Sequence, residues 1–402
     1  MKRTLLTILP VAAALLLATS CSKDTDDNII VNNPTPAETQ KDASPAESKT
    51  VPFSIDVVPG GSLSKIAYAD DGTTVTVKFV EADITDGLTM SVTDGTHSTT
   101  LTLTAVDVDG KGTFTGSWNE GEEPSDGVKI TATVAYKSGS TVVNSTESVK
   151  KLMEICAHNY KGTFNYQTSG GNSVTLTDDR AYIEFTLAEG QKKVFVNGQW
   201  YDVGQTTHKA YVAVEGNTEV TTRIKGNKTL KAGKIYTITC TDVVDLGPTF
   251  SVLWKTTNET GGTVLSSYSQ SDAETSVYKD EKYCEWANAC AFGRIKSDEY
   301  EKGTADPFRL PTKAELEALG SGTWKTKNSM NGREFSTDYG SVFFPAAGLN
   351  SGTDASYEGF YWSGESYGDN FAYVLYFNDS YAHVRQNDAY GLEFSVRLVR
   401  GL

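Results

Sequence analysis

Aromatic and hydrogen-bonding residues are concentrated near the C-terminal end of the sequence, between and after segments that resemble strands. A flat ring can stack on the C–H face of a sugar, while carboxylate, amide and guanidinium groups bind its hydroxyls. The residues that predict such a saccharide-binding face are Tyr367, Asp369, Asn370, Asp379, Tyr381, His383, Arg385, Asn387 and Tyr390. An alternative stays open, in which these loops only confer solubility and their rings cover the core.

Residues that could support catalysis or bind zinc are scattered. The sequence offers no nucleophile beside a base and no acidic dyad, so it predicts no enzymatic activity and no catalytic residue. A zinc site needs clustered Cys or His ligands. The four histidines, His97, His158, His208 and His383, show no such spacing. We therefore expect no metal site and no required cofactor.

Four cysteines follow Cys21. Cys156 and Cys240 bracket a block of predicted strands, and a disulfide between its first and last strands is one option. Cys284 and Cys290 are six residues apart. If that segment is helical, its rise of about 9 Å is too long for a direct disulfide. The sequence leaves the pairing of all four open.

The N-terminus has the features of an exported lipoprotein. A basic start precedes an apolar stretch, residues 5–18, which fits a signal-peptide h-region and is too short to span a bilayer. It ends in Ala18-Thr19-Ser20-Cys21, which resembles the lipobox cut by lipoprotein signal peptidase, although Leu is usual in place of Ala18. This predicts a signal peptide over residues 1–20 and lipidation of Cys21. The alternative is an ordinary secretory peptide with an incidental cysteine.

The segment after the lipobox points to the cell surface. Ser22 to Asp27 resembles the acidic export signal with which Bacteroidetes send lipoproteins to the outer face of the outer membrane, and implies a lipid anchor there. Residues 21–50 lack the apolar residues for a core and predict a flexible tether. A net charge of −15 argues against a nucleic-acid partner, whose phosphates require Lys and Arg.

From residue 51 the sequence alternates apolar and polar residues with the period of β-strands. Two clear runs are Leu101, Leu103 and Ala105, and then Val128, Ile130, Ala132, Val134 and Tyr136. Asp-Gly turns separate such runs. The pattern predicts all-β architecture, with a first β-sandwich domain over residues 51–150 and a second over 151–248.

Two phrases of the second block, Ala181 to Phe185 and Leu230 to Thr237, resemble fimbrillin-like proteins of Bacteroidetes. These are two-domain β-sandwich lipoproteins, many of them pilus subunits. The resemblance implies maturation by a trypsin-like protease that cuts after an Arg of the first domain. The first Arg after Cys21 is Arg180, in the second block. We therefore predict that the mature chain keeps its lipid and first strand and does not form the repeating shaft of a pilus.

Five later motifs occur in a recognisable order, namely Phe308 to Leu316, Val342 to Gly348, Gly359 to Ser363, Ala372 to Asn378 and Ser395 to Val399. They resemble the major paralogous domain first noted in Fibrobacter, a relative of the formylglycine-generating and C-type-lectin-like folds. The resemblance implies an α+β C-type-lectin-like domain over residues 249–402. Within it, Thr312 and Glu315 form a capping box, which predicts a helix after Pro311 with Leu316 and Leu319 facing the core.

Calcium binding is a weaker implication of the same resemblance. Lectins of this fold bind Ca²⁺ through carboxylates and amides, and Phe377-Asn378-Asp379 is close to their Trp-Asn-Asp element. Their companion Glu-Pro-Asn element is absent. Asn378-Asp379-Ser380 also fits a plain hairpin turn, which is the interpretation we favour.

Together these patterns predict a non-enzymatic cell-surface lipoprotein that presents a lectin-like binding module. It would serve as an adhesin, or as a fimbrial tip or accessory subunit. Its partners would be the outer membrane, fimbrial subunits, and a glycan or protein of a host or bacterial surface. The alternative is a glycan-binding surface lipoprotein of a polysaccharide uptake system.

The lipid anchor gives the first testable prediction. Replacing Cys21 with Ala removes the acylated thiol, so the protein should leave the membrane fraction and appear in soluble form. Fractionation measures this, and mass spectrometry of the wild-type chain should find acylated Cys21 as the mature N-terminus. Unchanged membrane partitioning of the variant, or a mature N-terminus beyond about residue 60, would contradict it.

Overall fold

A computed structural model describes residues 50–58, 73–74, 79–260, 263–265, 286–349, 354–368, 371–388 and 392–402. These residues belong to one compact unit, Lys49–Leu402. Cys21, Cys284, Asp369, Asn370 and Tyr390 lie outside the described residues. Among the described helices, none is long and apolar enough to cross a membrane.

The described secondary structure consists mostly of strands. The first elements are β1 (Thr50–Val58), β2 (Thr73–Thr74), α1 (Glu81–Thr85), β3 (Thr89–Thr93), β4 (Ser98–Val106), β5 (Gly112–Asn119), β6 (Lys129–Tyr136), β7 (Asn144–Ser145), α2 (Val149–Ile155), β8 (His158–Asn165), β9 (Asn172–Thr175) and β10 (Thr177–Asp178). Next come β11 (Arg180–Leu187), β12 (Lys193–Val196), β13 (Gln199–Asp202), β14 (Lys209–Glu215), β15 (Thr218–Thr222), β16 (Gly226–Leu230), β17 (Lys234–Cys240) and β18 (Val243–Asp245).

The described residues of the C-terminal part follow the same β-rich pattern and include two short helices. Its elements are β19 (Val252–Lys255), β20 (Asn258–Thr260), β21 (Thr263–Leu265), α3 (Trp286–Cys290), β22 (Gly293–Lys296), β23 (Glu299–Lys302), β24 (Phe308–Arg309), α4 (Lys313–Ala318), β25 (Thr323–Lys327), β26 (Met330–Ser336), β27 (Ser341–Pro345), β28 (Gly359–Tyr367), β29 (Phe371–Phe377), β30 (Ala382–Asp388) and β31 (Val399–Gly401).

The first sheet has eight strands in the order β10-β8-β6-β3-β4-β5-β1-β9, and β8 and the edge strand β9 contribute to the same core. The predicted alternation is observed at Leu101 and Leu103, which are buried. Ala105 is exposed instead, because the register with β5 shifts between Leu103 and Ala105. Such a bulge reverses the face on which the next residue lies.

The sheets do not follow the predicted boundary at residue 150. Strands β8 to β10 pair within the first sheet, and Tyr160 and Phe164 of β8 pack into its core. In return, β2 and β7 join the five-stranded sheet β2-β17-β11-β14-β7. That sheet and the four-stranded sheet β13-β12-β15-β16 enclose a second core, to which Ile183 and Val212 contribute from one sheet and Val194 and Val220 from the other.

The cysteines on either side of this second core are unpaired, which corrects the disulfide option. Cys156 and Cys240 are both buried free thiols. Cys156 lies against Tyr182 near the start of β11, whereas Cys240 pairs with Leu187 at its end. Five residues of strand separate these points by about 17 Å, far beyond the reach of a disulfide.

In the C-terminal part, β28, β29 and β30 form a three-stranded antiparallel sheet. The predicted capping box is confirmed: Glu315 N donates to Thr312 Oγ1 at 3.1 Å, and Thr312 N donates to Glu315 Oε2 at 2.8 Å. Leu316 and Leu319 are buried, as predicted. The C-type-lectin-like assignment stays a prediction, since the two described helices here span only five and six residues.

Buried polar groups join the second sandwich to the C-terminal part. Gln191 Nε2 lies within 3.1 Å of the carbonyl oxygens of Lys193, Asp245 and Tyr339. Arg223 forms a bidentate pair with Asp245 of β18, whose partner strand β19 belongs to the C-terminal part, and the Nε–Oδ2 and Nη2–Oδ1 distances are 2.7 and 3.1 Å. The Asp245 side chain is 2% exposed. Because these bonds leave little of either charge unpaired, we expect them to hold the two parts together.

The Arg223–Asp245 pair gives a stability prediction. Asp245→Ala leaves a partly buried guanidinium without its carboxylate and should lower the free energy of unfolding by about 3–5 kcal/mol. The matched control is Asp202→Ala, which removes an exposed pair with Lys193 at 3.7 Å and should cost less than about 1 kcal/mol. Urea denaturation measures both. Equal effects of the two substitutions would contradict the prediction.

Candidate functional site

The predicted binding residues on β30 lie on an outer strand of the three-stranded sheet. In the described part, β30 pairs with β29 alone, and His383 is directly opposite Tyr376. Because alternate residues of a strand share a face, His383, Arg385 and Asn387 form one row, on the same side as Tyr376. Tyr381 lies in the tight turn before β30, two residues before His383, at the start of this row.

The turn itself is built by one asparagine. Asn378 Oδ1 accepts hydrogen bonds from the backbone N–H groups of Ser380 and Tyr381, at 2.9 and 3.1 Å. This Asx-type turn is the plain hairpin geometry favoured from the sequence. It places Asp379 and Tyr381 at the exposed end of the β29–β30 hairpin.

Three aromatic side chains meet beside this turn. The rings of Tyr381 and His383 stack with centroids 5.2 Å apart and planes at 30°. Tyr376 lies beneath them, 5.7 Å from Tyr381 and 5.5 Å from His383. Tyr381 is 47% exposed, whereas Tyr376 is buried. The result is a two-ring platform whose outer surface is open to solvent.

Polar groups hold the base of the platform in place. Tyr376 Oη donates a 2.5 Å hydrogen bond to Glu358 Oε1, and Asn378 Nδ2 donates to the same hydroxyl at 3.3 Å. Burial, together with the Glu358 carboxylate, raises the pKa of Tyr376 above its ordinary value of 10.0. The phenol therefore stays neutral and remains a donor to Glu358 at physiological pH.

Arg385 borders the platform and affects its charge. The guanidinium carbon is 4.1 Å from the centroid of the Tyr376 ring and 5.7 Å from that of Phe360. Partial burial and, secondarily, the charge of Arg385 lower the pKa of His383 below its ordinary 6.5. His383 is therefore neutral at pH 7, and its ring stacks on Tyr381 without a charge of its own.

We call Glu358, Tyr376, Asn378, Tyr381, His383 and Arg385 the tyrosine face. Of the predicted residues, Asp379 and Asn387 adjoin it. Tyr367 is not part of it, because it pairs with Phe371 at the opposite end of β29 from Phe377. Six residues of strand separate those ends by about 20 Å. Asp369, Asn370 and Tyr390 lie outside the described residues.

Sequence reasoning missed the support of this face. Glu358 and Tyr376 were not among the predicted site residues, although Tyr376 lies in a motif that predicts a strand. The alternation of that motif could have placed Tyr376 on the side of the sheet shared with His383. No sequence signal pointed to Glu358, which belongs to a preceding loop.

A second group of reactive residue types lies between the two sandwiches. His158 Nδ1 is 3.6 Å from Cys156 Sγ, and His158 Nε2 is 3.8 Å from Asp178 Oδ2. The arrangement resembles a Cys-His-Asp triad, but the His158 and Asp178 side chains are 0% exposed and Cys156 is also buried. Burial raises the pKa of the Cys156 thiol, which disfavours the reactive thiolate. The group therefore has the environment of a packed core cluster.

Two other features bear on ligands. In the described part, no group of three or more His, Cys, Asp or Glu residues could hold a metal ion. A cavity of about 270 Å³ lies at the junction with the second sandwich, with Glu189, Lys327 and Arg397 in its wall. The residues that line this cavity do not include any member of the tyrosine face.

Comparison with known proteins gives one family match. Residues 321–399 match the family described as Domain of unknown function (DUF8237), and this range contains the whole tyrosine face. No curated protein matches the chain.

The solved structures that this chain resembles include fimbrial and adhesion proteins. A fimbrial assembly protein from Parabacteroides distasonis is 11% identical with a TM-score of 0.25, over 51% of this chain and 95% of that protein. A fimbrial protein from Bacteroides ovatus is 10% identical with a TM-score of 0.24, over 88% and 100%. A candidate cell adhesion protein from Bacteroides uniformis is 11% identical with a TM-score of 0.23, over 49% and 94%. Likeness at these TM-scores does not establish a shared fold.

The electrostatics of the tyrosine face can be tested directly. Arg385→Gln removes the positive charge that opposes protonation of His383, so the pKa of His383 should rise. It should remain below 6.5, because partial burial, the larger cause, persists. NMR titration of the imidazole signals measures the pKa of His383. Lys313→Gln is the control, in which this pKa should not change. The same His383 pKa in wild type and Arg385→Gln would contradict the geometry.

Proposed function

We propose that this chain is a non-enzymatic cell-surface lipoprotein that acts as an adhesin, or as a fimbrial tip or accessory subunit, through its tyrosine face. The observation that carries the proposal is the exposed Tyr381–His383 stack beside polar groups. A ring platform of this kind suits the C–H face of a sugar, whose hydroxyls can bond to Asn378, Asp379 or Arg385.

The position of the face supports an adhesive role. It lies at a hairpin end of the C-terminal part, while the predicted lipid anchor lies at the N-terminus, before the tether and two sandwich blocks. A ligand bound at this face would therefore contact the module that is farthest along the chain from the anchor. Such an order suits a surface protein that reaches outward.

The pairing and burial of β1 favour a subunit that keeps its first strand over one that polymerises by losing it. β1 lies between β5 and β9, with eight residue pairs to β5, and its Ile55 and Val57 are buried in the first core. Loss of β1 would expose this core, leave β5 as an edge strand and remove the partner of β9 in this sheet. Since residues 22–179 contain no Arg, an Arg-specific protease has no site near β1. We therefore favour a subunit that keeps this strand.

A saccharide-binding assay tests the proposal. On a glycan array, the soluble chain from residue 22 should bind at least one saccharide, and Tyr381→Ala should weaken that binding about tenfold, which corresponds to about 1.4 kcal/mol. Tyr367→Ala is a matched control, because Tyr367 is also 47% exposed but lies in β28, opposite the other end of β29. It should bind like wild type. Absence of any saccharide binding, or an equal loss in both variants, would overturn the proposal.

A further inference from the structure

Arg385 differs from the other arginines of the described chain in what it contacts. Arginines 180, 223, 294, 309, 333, 397 and 400 each donate hydrogen bonds to a carboxylate, an amide or a backbone carbonyl. Within the same described part, Arg385 has neither a hydrogen-bond acceptor nor an ion-pair partner. Its contacts are the rings of Tyr376 and Phe360, and its Nε is buried without a partner.

This placement fixes the position of the guanidinium, and its positive charge has no ion-pair partner in the described part of the chain. Cation–π contact with Tyr376 holds the group at the border of the ring platform. In the described part, no ion pair joins Arg385 to the Glu358 carboxylate, which accepts the 2.5 Å hydrogen bond from Tyr376 Oη. A guanidinium keeps its charge at every pH at which a protein is folded, and its planar fork matches a carboxylate with two parallel hydrogen bonds.

We propose that the tyrosine face recognises an acidic saccharide, with Tyr381 and His383 stacking on the sugar ring and Arg385 binding the carboxylate of a uronic or sialic acid unit. This inference rests on the proposed function, since it names the ligand class of the same site. An acidic ligand is otherwise disfavoured by the chain's net charge of −15. Local recognition by Arg385 must therefore outweigh long-range repulsion, and added salt, which screens that repulsion, should not abolish binding.

Matched pairs of saccharides test the inference. Isothermal titration calorimetry of the chain from residue 22 would compare oligogalacturonate and sialyllactose with their carboxyl-reduced forms, in which a hydroxymethyl group replaces each carboxylate. For at least one pair, the acidic form should bind about tenfold more tightly. Arg385→Gln should remove this preference, so that the acidic and neutral forms of a pair bind with equal affinity. Arg385→Lys, which keeps the positive charge but lacks the planar guanidinium, should retain part of the preference for the acidic form.

Controls separate this inference from the proposed function. Lys313→Gln removes another cation that lies over a tyrosine ring, 4.8 Å from the centroid of Tyr373, and should leave the preference intact. Circular dichroism and thermal melting should show that the Arg385 variants are folded. If neutral and acidic forms bind equally to the wild type, or if Arg385→Gln keeps the preference, the inference is wrong and the proposed function stands. If no saccharide of either kind binds, both fail.

Discussion

The candidate site depends on one packing constraint, which is that the paired segments 359–362 of β28 and 374–377 of β29 are buried on both faces. On one side Phe360, Trp362 and Val374 contribute to one core, and on the other Tyr361 and Leu375 contribute to another. Strands enclosed in this way have no room for polar side chains without partners. Beside these buried segments, the polar residues that face solvent lie on the outer strand β30 and in the hairpin turn, which is where the tyrosine face lies.

A buried arginine stabilises the packing around β28 and β29. Arg397, 2% exposed, donates to Asn258 Oδ1 at 2.7 Å and to the carbonyl oxygens of Lys255 and Phe343 at 2.8 and 3.1 Å. These acceptors belong to segments far apart in the chain, so one side chain ties them together. The core that it borders also includes Val244, from the end of the second sandwich block. The three-stranded sheet that carries the tyrosine face thus packs on a core shared with the preceding part of the protein.

Features encoded locally could be predicted from the sequence, whereas strand partners could not. The capping box of Thr312 and Glu315 and the turn at Asn378 were predicted correctly because each depends on a few adjacent residues. Period-two alternation located β4 and β6 but carries no information about which strands pair, so it did not show that β8 belongs to the first sheet. The bulge at Ala105 and the separation of Cys156 from Cys240 likewise depend on tertiary register.

The candidate site shows the same division. Composition drew attention to Tyr381, His383 and Arg385, which the structure brings together. Composition also grouped Tyr367 with them, although the length of β29 places it about 20 Å away. Glu358 was missed because its role comes from a hydrogen bond to Tyr376 across a loop. Residue types therefore indicated the chemistry, and strand geometry selected which of them act together.

The central claim is that ligand binding is localised at the tyrosine face, and NMR of the chain from residue 22 with isotopically labelled tyrosine tests it most directly. On titration with a bound saccharide, the ring signals of Tyr376 and Tyr381 should shift together and saturate at a common concentration, while those of Tyr367 and Tyr373 stay unchanged. Shifts confined to Tyr367 and Tyr373, or a bound saccharide that moves none of these four, would contradict the account.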